Sequence, residues 1–280
     1  MSARPHAKVT PVRHNGFPAA DWIASARGQY RAFADQEVIR VRTIVFSDVH
    51  GEPAVIRRVV EHSDYQPGVD RLIFAGDAIE VGRDSWGCLE LLDELGAEFV
   101  VGNHEYSVWD GTPIENECLD LHVHAAVSRH IDEGLWLLAA SAEGVLITHA
   151  GVSHAFASNL GWGIDGDVEG LVAALNVGFA AAVQLGPGRS TSDVIGQEGP
   201  LWYRPSGHPR PLSETVQVAG HTPPEILTGA DPAGEWAALG LHLIDPFVRR
   251  WGQGRGYGPP IPLRYAVIED GTVSVVEDGI

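Results

Sequence analysis

Positive charge is scarce in this sequence: 19 Lys and Arg stand against 37 Asp and Glu, a formal net charge of −18 at pH 7. General nucleic-acid binding and docking on an anionic membrane both need a basic face that displaces counterions, so the charge balance argues against either partner. A phosphate-bearing substrate must then be drawn in by local positive charge, and bound metal ions are the obvious source. Cysteine is nearly lacking as well. Cys88 and Cys118 are too few for a disulfide framework and read as reduced thiols of a cytoplasmic protein. No run of roughly 18 apolar residues is seen, and no early stretch joins a basic leader to an apolar segment of signal-peptide length. The expectation is a soluble, unsecreted chain.

What is present is a globular balance: 280 residues, 44% apolar and 20% charged, enough to bury one large α/β core. Residues 1–37 form a separate extension that begins as a Pro-, Arg- and His-containing arm and turns amphipathic. Trp22, Ala26, Tyr30 and Phe33 fall near the helical repeat, with Asp21 placed to cap. A helix lying on the domain and an arm that docks a partner both fit that pattern. Residues 38–280 form the main domain.

From Arg42 onward a rhythm of strand, loop and helix appears. The apolar run Thr43–Phe46 stops at Ser47-Asp48-Val49-His50-Gly51, and a helical segment follows to about His62. Leu72–Ala75 ends in Gly76-Asp77 before a helix near Ser85–Leu95, and Glu98–Val101 ends in Gly102-Asn103-His104-Glu105. Val145–Thr148 runs into His149-Ala150-Gly151, and Val216–Ala219 into Gly220-His221-Thr222-Pro223. Helical stretches are expected near Cys118–Asp132 and Asp167–Leu185, the second with Leu171, Leu175, Phe179 and Ala182 on one face. Leu241–Ile244 reads as a further strand. A hairpin is expected from Leu263–Ile268 and Val273–Glu277, turned at Glu269-Asp270-Gly271.

Five strands thus finish in metal-ligand residue types, and the carboxyl ends of neighbouring strands in an open α/β sheet converge on one crevice. Asp48, His50, Asp77, Asn103, His149 and His221 offer oxygen and imidazole donors without a thiolate, a set that suits Mn, Fe or Zn better than an all-oxygen Mg or Ca cage. Asp77 can bridge two cations, because a carboxylate has two oxygens. Cations held about 4 Å apart can share a hydroxide and clamp phosphoryl oxygens. Singly, each motif has an ordinary explanation: Asp-x-His as a helix cap beside a turn, Gly-Asp as a turn, Gly-His-Thr as a loop histidine. Together, each at the end of an apolar run, they break local rules in one place, and such clustering marks functional sites.

At these residues the chain resembles the calcineurin-like metallophosphoesterases. Within them it is most similar to the phosphoprotein phosphatase branch, with its bacterial serine/threonine phosphatase and diadenosine tetraphosphatase relatives, over about Val41 to Pro224. The resemblance implies a mixed α/β fold, a β-sandwich flanked by helices. It implies one cation held by Asp48, His50 and Asp77 and a second held by Asp77, Asn103, His149 and His221, with Mn the first choice in vitro. It also implies His104 as general acid toward the leaving oxygen, supported by Glu80, and Asn103 as a phosphate contact. A protonated imidazole lowers the barrier for a poor leaving group, and a nearby carboxylate favours the imidazolium.

Leu201-Trp202-Tyr203-Arg204 resembles a Leu-Trp-x-Arg segment of the bacterial phosphatases, which makes Arg204 the candidate to fork onto two phosphoryl oxygens. A surface arginine beside a core tryptophan is the plain alternative. Two departures stand out. Where the branch reads Gly-Asp-x-x-Asp-Arg-Gly, this chain reads Gly76-Asp77-Ala78-Ile79-Glu80-Val81-Gly82-Arg83, so the phosphate-binding Arg is replaced by Val81, and Arg83 is the candidate substitute. Relatives also commonly carry Ile-Asp-Thr-Gly near the end; here it is Ile244-Asp245-Pro246-Phe247, followed by Arg249, Arg250 and Arg255, either a basic lid or a solvated loop.

Other phosphate chemistries fit poorly. The glycines from Gly252 to Gly258 lack a preceding strand and following helix and run into Pro259-Pro260. A cysteine phosphatase needs Arg six positions after Cys, where Cys88 meets Glu94 and Cys118 meets His124. Asp165-Gly166-Asp167 reads as a loop and helix cap. The sequence therefore points to metal-dependent hydrolysis of phosphate esters on a phosphorylated small molecule, a nucleotide or a phosphoprotein. Dinucleoside polyphosphate hydrolysis and a weakly catalytic phospho-ligand sensor are the alternatives.

Overall fold

The computed structural model describes residues 41–114, 120–162, 167–189, 193–205, 210–212, 214–246 and 263–278. The 1–37 extension, Cys118 and the segment bearing Arg249, Arg250 and Arg255 lie outside the described residues.

Two mixed sheets form the centre. The first has the order β3-β2-β1-β8-β9, from β1 (Thr43–Phe46), β2 (Arg71–Phe74), β3 (Glu98–Phe99), β8 (Leu263–Glu269) and β9 (Thr272–Asp278). The second has the order β4-β5-β6-β7, from β4 (Ala139–Ala142), β5 (Val145–Thr148), β6 (Gln217–Ala219) and β7 (Leu241–Leu243). Strands β1 to β3 run parallel, as do β5 to β7. The two sheets accord with the β-sandwich that the family resemblance implied. Short apolar runs look alike in one sheet or two, because nothing in a run names its partner strand.

Strand periodicity explains the layers. Val45, Ile73, Ala140, Ala142, Val145, Ile147, Val218, Ala266 and Ile268 share one core cluster drawn from both sheets, whereas Ile44, Phe46, Leu72, Phe74 and Leu146 belong to the larger cluster on the helix side. Alternate residues of a strand point to opposite faces, so strands covered on both sides read as unbroken apolar runs.

The helices are α1 (Pro53–His62), α2 (Ser85–Glu94), α3 (Asn103–Trp109), α4 (Leu121–Asp132), α5 (His154–Asn159), α6 (Val168–Leu185) and α7 (Pro232–Ala237). Asp84 and Asp167 cap α2 and α6 by accepting the N–H of Gly87 and Gly170. Helix α6, buried along one face only, is long and apolar enough to cross a membrane by length and composition, with mean hydropathy 1.6. It is not an unbroken apolar run, since Glu169, Asn176 and Gln184 interrupt it without lowering its average much. Here its Leu171, Leu175 and Phe179 join the main core. Asn176 ties it to the sheet, accepting from Leu138 and Ala139 N–H at 2.9 and 3.0 Å and donating to the Ala139 carbonyl at 2.9 Å.

Candidate active site

The parallel strands of both sheets deliver their carboxyl ends to one cavity of about 300 Å³, lined by Asp48, His50, Asp77, Asn103, His104, Arg204, His221, Pro223, Ile226 and Asp245. The loop after β1 carries Asp48 and His50, and the loop after β2 carries Asp77. Asn103 and His104 open α3, while His149 and His221 follow β5 and β6. All six expected donors are buried.

Close backbone approach makes this convergence possible. A Cβ on Gly220 would collide with the Asp48 carboxylate and the Ser47 hydroxyl, and one on Gly76, at φ +89°, would collide with the Gly102 backbone. Glu105 bolts the loops together, its carboxylate accepting N–H bonds from Asp77 at 2.9 Å, Ala78 at 2.7 Å and Gly102 at 3.0 Å. Backbone strain gathers here too. Asp48 (φ 54°), His50 (43°), Asp77 (64°), Glu80 (64°), Val81 (65°) and His221 (62°) all take the left-handed region, at a cost on the order of 1–3 kcal/mol each.

Donor atoms fall into two groups that share Asp77: His50, Asp77 and His104, and Asp77, His149 and His221, the atoms of each lying within 4.8 Å of one another. Asp77 Oδ2 lies 3.7 Å from His50 Nε2, 3.8 Å from His104 Nε2 and 3.4 Å from His149 Nε2. His149 Nε2 is also 2.8 Å from Asn103 Oδ1. The far ring nitrogens are already used: His149 Nδ1 donates to the Ala75 carbonyl at 2.8 Å, and His50 Nδ1 faces the Ile79 carbonyl at 3.3 Å. An imidazole that donates from one nitrogen presents a lone pair at the other, the arrangement of a metal-ligating histidine. His221 Nε2 is buried without a hydrogen-bond partner. Lone pairs and carboxylate oxygens turned toward one another repel unless positive charge lies among them, so this donor set fits divalent cations.

Electrostatics tell the same story. Burial, reinforced by the charge on Asp245, pushes the Asp48 carboxyl well above its usual range. Burial and the neighbouring His104 lower His50 to about 3, and burial holds His221 well below the ordinary imidazole value. Burial opposes charge on Asp77 and His149 as well. For these two the mutual attraction wins, depressing the Asp77 carboxyl and raising His149 to about 10. Glu105 is pushed up to about 7 by burial and by Asp77.

At the edge of the cluster, His104 Nδ1 meets Glu80 Oε2 at 2.6 Å, and both side chains are buried. Burial disfavours the imidazolium, but Asp77 and the Glu80 hydrogen bond raise the His104 pKa. Arg204 lines the cavity and donates from Nη1 to the His221 carbonyl at 3.1 Å. Arg83 does not join the lining residues: it is exposed, and its charge acts on Glu52 instead. The cause is local. Gly82 N–H donates to the His50 carbonyl at 2.8 Å and Asp84 N–H to Gly51 O at 3.0 Å, which hooks this loop over the start of α1 and turns Arg83 outward.

Sequence reasoning missed two residues. Asp245 follows β7 and lines the cavity, with the same signature as the others, an acid just after a short apolar run. Glu105 stands three residues after Gly102, the capping-box position at which a carboxylate reaches back to the N-cap.

Residues 41–249 match the family described as calcineurin-like phosphoesterase. The chain belongs to that family. The family is one of metal-dependent phosphoesterases, and the two groups of side chains that could hold a metal ion here meet at Asp77. The serine/threonine-protein phosphatase 1 of Salmonella typhimurium strain LT2 is 38% identical over 66 residues, which cover 24% of this phosphoesterase and 31% of that protein, so the chain spans under a third of the relative's length. Two solved structures share the fold. A protein assigned as a diadenosine tetraphosphatase aligns with TM-score 0.51 and 18% identity, over 87% of this chain and 96% of its own. A serine/threonine phosphatase from Saccharomyces cerevisiae with similarity to human phosphatase PP5 aligns with TM-score 0.51 and 13% identity, over 92% of this chain and 88% of its own.

Proposed function

We propose that this phosphoesterase hydrolyses phosphomonoesters, including phosphoserine- and phosphothreonine-type esters, at the cavity around Asp77. The observation that carries the reading is a carboxylate, Asp77, common to two groups of candidate donors, one of which includes His104, the imidazole hydrogen-bonded to Glu80. Asp48, His50 and Asp77 would hold one divalent cation, and Asp77, Asn103, His149 and His221 the other. Nitrogen and oxygen donors without thiolate suit Mn, Fe or Zn, with Mn the choice for assay. When bound, the cations supply Lewis acidity and an activated water.

The remaining work belongs to the chain. Glu80 fixes the His104 tautomer and favours its protonated form, so that Nε2 can give a proton to the departing alkoxide. Arg204 has five N–H donors; Nη1 bonds the His221 carbonyl, and the planar fork orients the phosphoryl oxygens. Phosphomonoesters are favoured over dinucleoside polyphosphates by the balance of fixed charge in the lining. Among the described residues Arg204 is its sole arginine or lysine, and the Asp245 carboxylate opposes a chain of phosphates.

With Mn²⁺ and p-nitrophenyl phosphate, the wild type should turn over. His104→Asn should lower kcat about 10²- to 10⁴-fold, the usual contribution of a positioned acid, while Mn²⁺ binding persists. No turnover by the wild type, or an undiminished rate in the variant, defeats the proposal. Faster turnover of diadenosine tetraphosphate than of a phosphopeptide would move the substrate to the anhydride class.

A further inference from the structure

The guanidinium of Arg264, on β8, is buried outside the cavity, and its hydrogen bonds run to the segments that form one cavity wall. Nη2 donates to Glu225 Oε1 at 2.8 Å and Nη1 to Glu225 Oε2 at 3.2 Å, a two-pronged grip. Nη1 also donates to the Asp245 carbonyl at 2.6 Å, and Nε to Glu277 Oε1 on β9 at 2.8 Å. Glu225 lies in the 3-10 turn Pro224–Ile226, four residues after His221, and Asp245 ends the run after β7. Pro223, Ile226 and Asp245 line the cavity. One cation from the first sheet thus ties together two loops of the second.

We propose that Arg264 is a positioning residue: through Glu225 and the Asp245 carbonyl it sets the place of His221 and of the cavity wall, and so tunes metal and phosphate binding. The inference rests on the reading of His221 as a metal donor. Its physical basis is stiffness. Pro223 and Pro224 separate Glu225 from His221-Thr222, and proline fixes φ, so a displacement at Glu225 passes to His221 with little lost in the linker. His221 itself holds a left-handed backbone, φ 62°, which persists only where the surroundings over-determine it. The other restraints are its N–H on the Asp48 carboxylate at 3.0 Å and its carbonyl on Arg204 at 3.1 Å, both within the site. Arg264 anchors the segment from outside. A lysine could not replace it, since a single ammonium cannot span a two-pronged carboxylate, a second carboxylate and a carbonyl.

Two carboxylates on the same guanidinium separate positioning from plain stability. Glu225 and Glu277 are both partly exposed partners of Arg264, with side-chain exposures of 37% and 49%, but only Glu225 lies between residues that line the cavity, Pro223 and Ile226. Free Mn²⁺ is titrated by electron paramagnetic resonance, with KM and kcat for p-nitrophenyl phosphate and thermal melting measured on the same samples. Glu225→Ala is expected to weaken one of two Mn²⁺ equivalents about tenfold, the low end for outer-sphere partners of metal ligands, and to raise KM. Glu277→Ala is expected to leave Mn²⁺ affinity and KM unchanged even where it lowers the melting temperature as much. Equal changes in both variants, or no change in Mn²⁺ affinity for Glu225→Ala, overturn the positioning role while leaving the phosphoesterase site intact. A wild type that binds no Mn²⁺ at all defeats the metal reading of His221 and this inference with it.

Discussion

Left-handed backbone has opposite reasons in two regions of this molecule, the β8–β9 hairpin and the cavity loops. In the β8–β9 hairpin Glu269 pairs with Thr272, and the two turn residues, Asp270 at φ 51° and Gly271 at φ 70°, make the mirror-image turn that matches strand twist. Asp and Gly reach that conformation cheaply. At the strand ends the same conformation is imposed on His50, His221, Glu80 and the β-branched Val81, at φ 43°, 62°, 64° and 65°, residues that gain nothing from it locally. In the hairpin the conformation serves chain reversal. At the cavity it aims donors, and the rest of the fold sustains it.

The sharpest way to break this contrast is at the glycines. Gly220→Ala puts a Cβ into the Asp48 carboxylate and should lower Mn²⁺ affinity and p-nitrophenyl phosphate turnover about 10- to 100-fold, the scale for displaced metal ligands. Retained affinity and turnover would show that the approach of the two loops is not needed. Gly271→Ala, in the hairpin, should cost about 1 kcal/mol in urea denaturation and leave turnover unchanged; a kinetic defect there would erase the distinction. The smallest effect is expected at Val81. Val81→Asn replaces a β-branched residue by one that tolerates the left-handed region and should stabilise the fold by roughly 0.5–1 kcal/mol. A loss of stability would mean that Val81 is not strained.

Much of this was legible because periodicity is local. β1, β2, β5, α1 and α6 follow from apolar runs and helical spacing, and the donors from what stands at the ends of the runs. Elements whose reasons are not local were hidden. β4 is Ala139-Ala140-Ser141-Ala142, poor strand material, and three of its four residues are buried against layers on either side of the sheet. Its turn to β5 at Glu143-Gly144, φ 48° and 79°, was the available signal. Gly102-Asn103-His104-Glu105 read as a loop but begins α3, because a glycine N-cap has no side chain to announce the helix and the capping comes from Glu105. Arg83 was placed by counting along the sequence, whereas the hydrogen bonds of Gly82 and Asp84 decide where that loop turns. Arg264 carried no motif at all; its role follows from three segments that only the fold brings together.

The central claim is that one carboxylate, Asp77, serves two donor groups. Electron paramagnetic resonance of the protein loaded with Mn²⁺ tests it most directly, since ions that share a ligand couple magnetically and separated ions do not. The account predicts two equivalents per chain and an exchange-coupled spectrum that disappears in Asp77→Asn. Two uncoupled ions, or a coupled pair that survives that substitution, would contradict it.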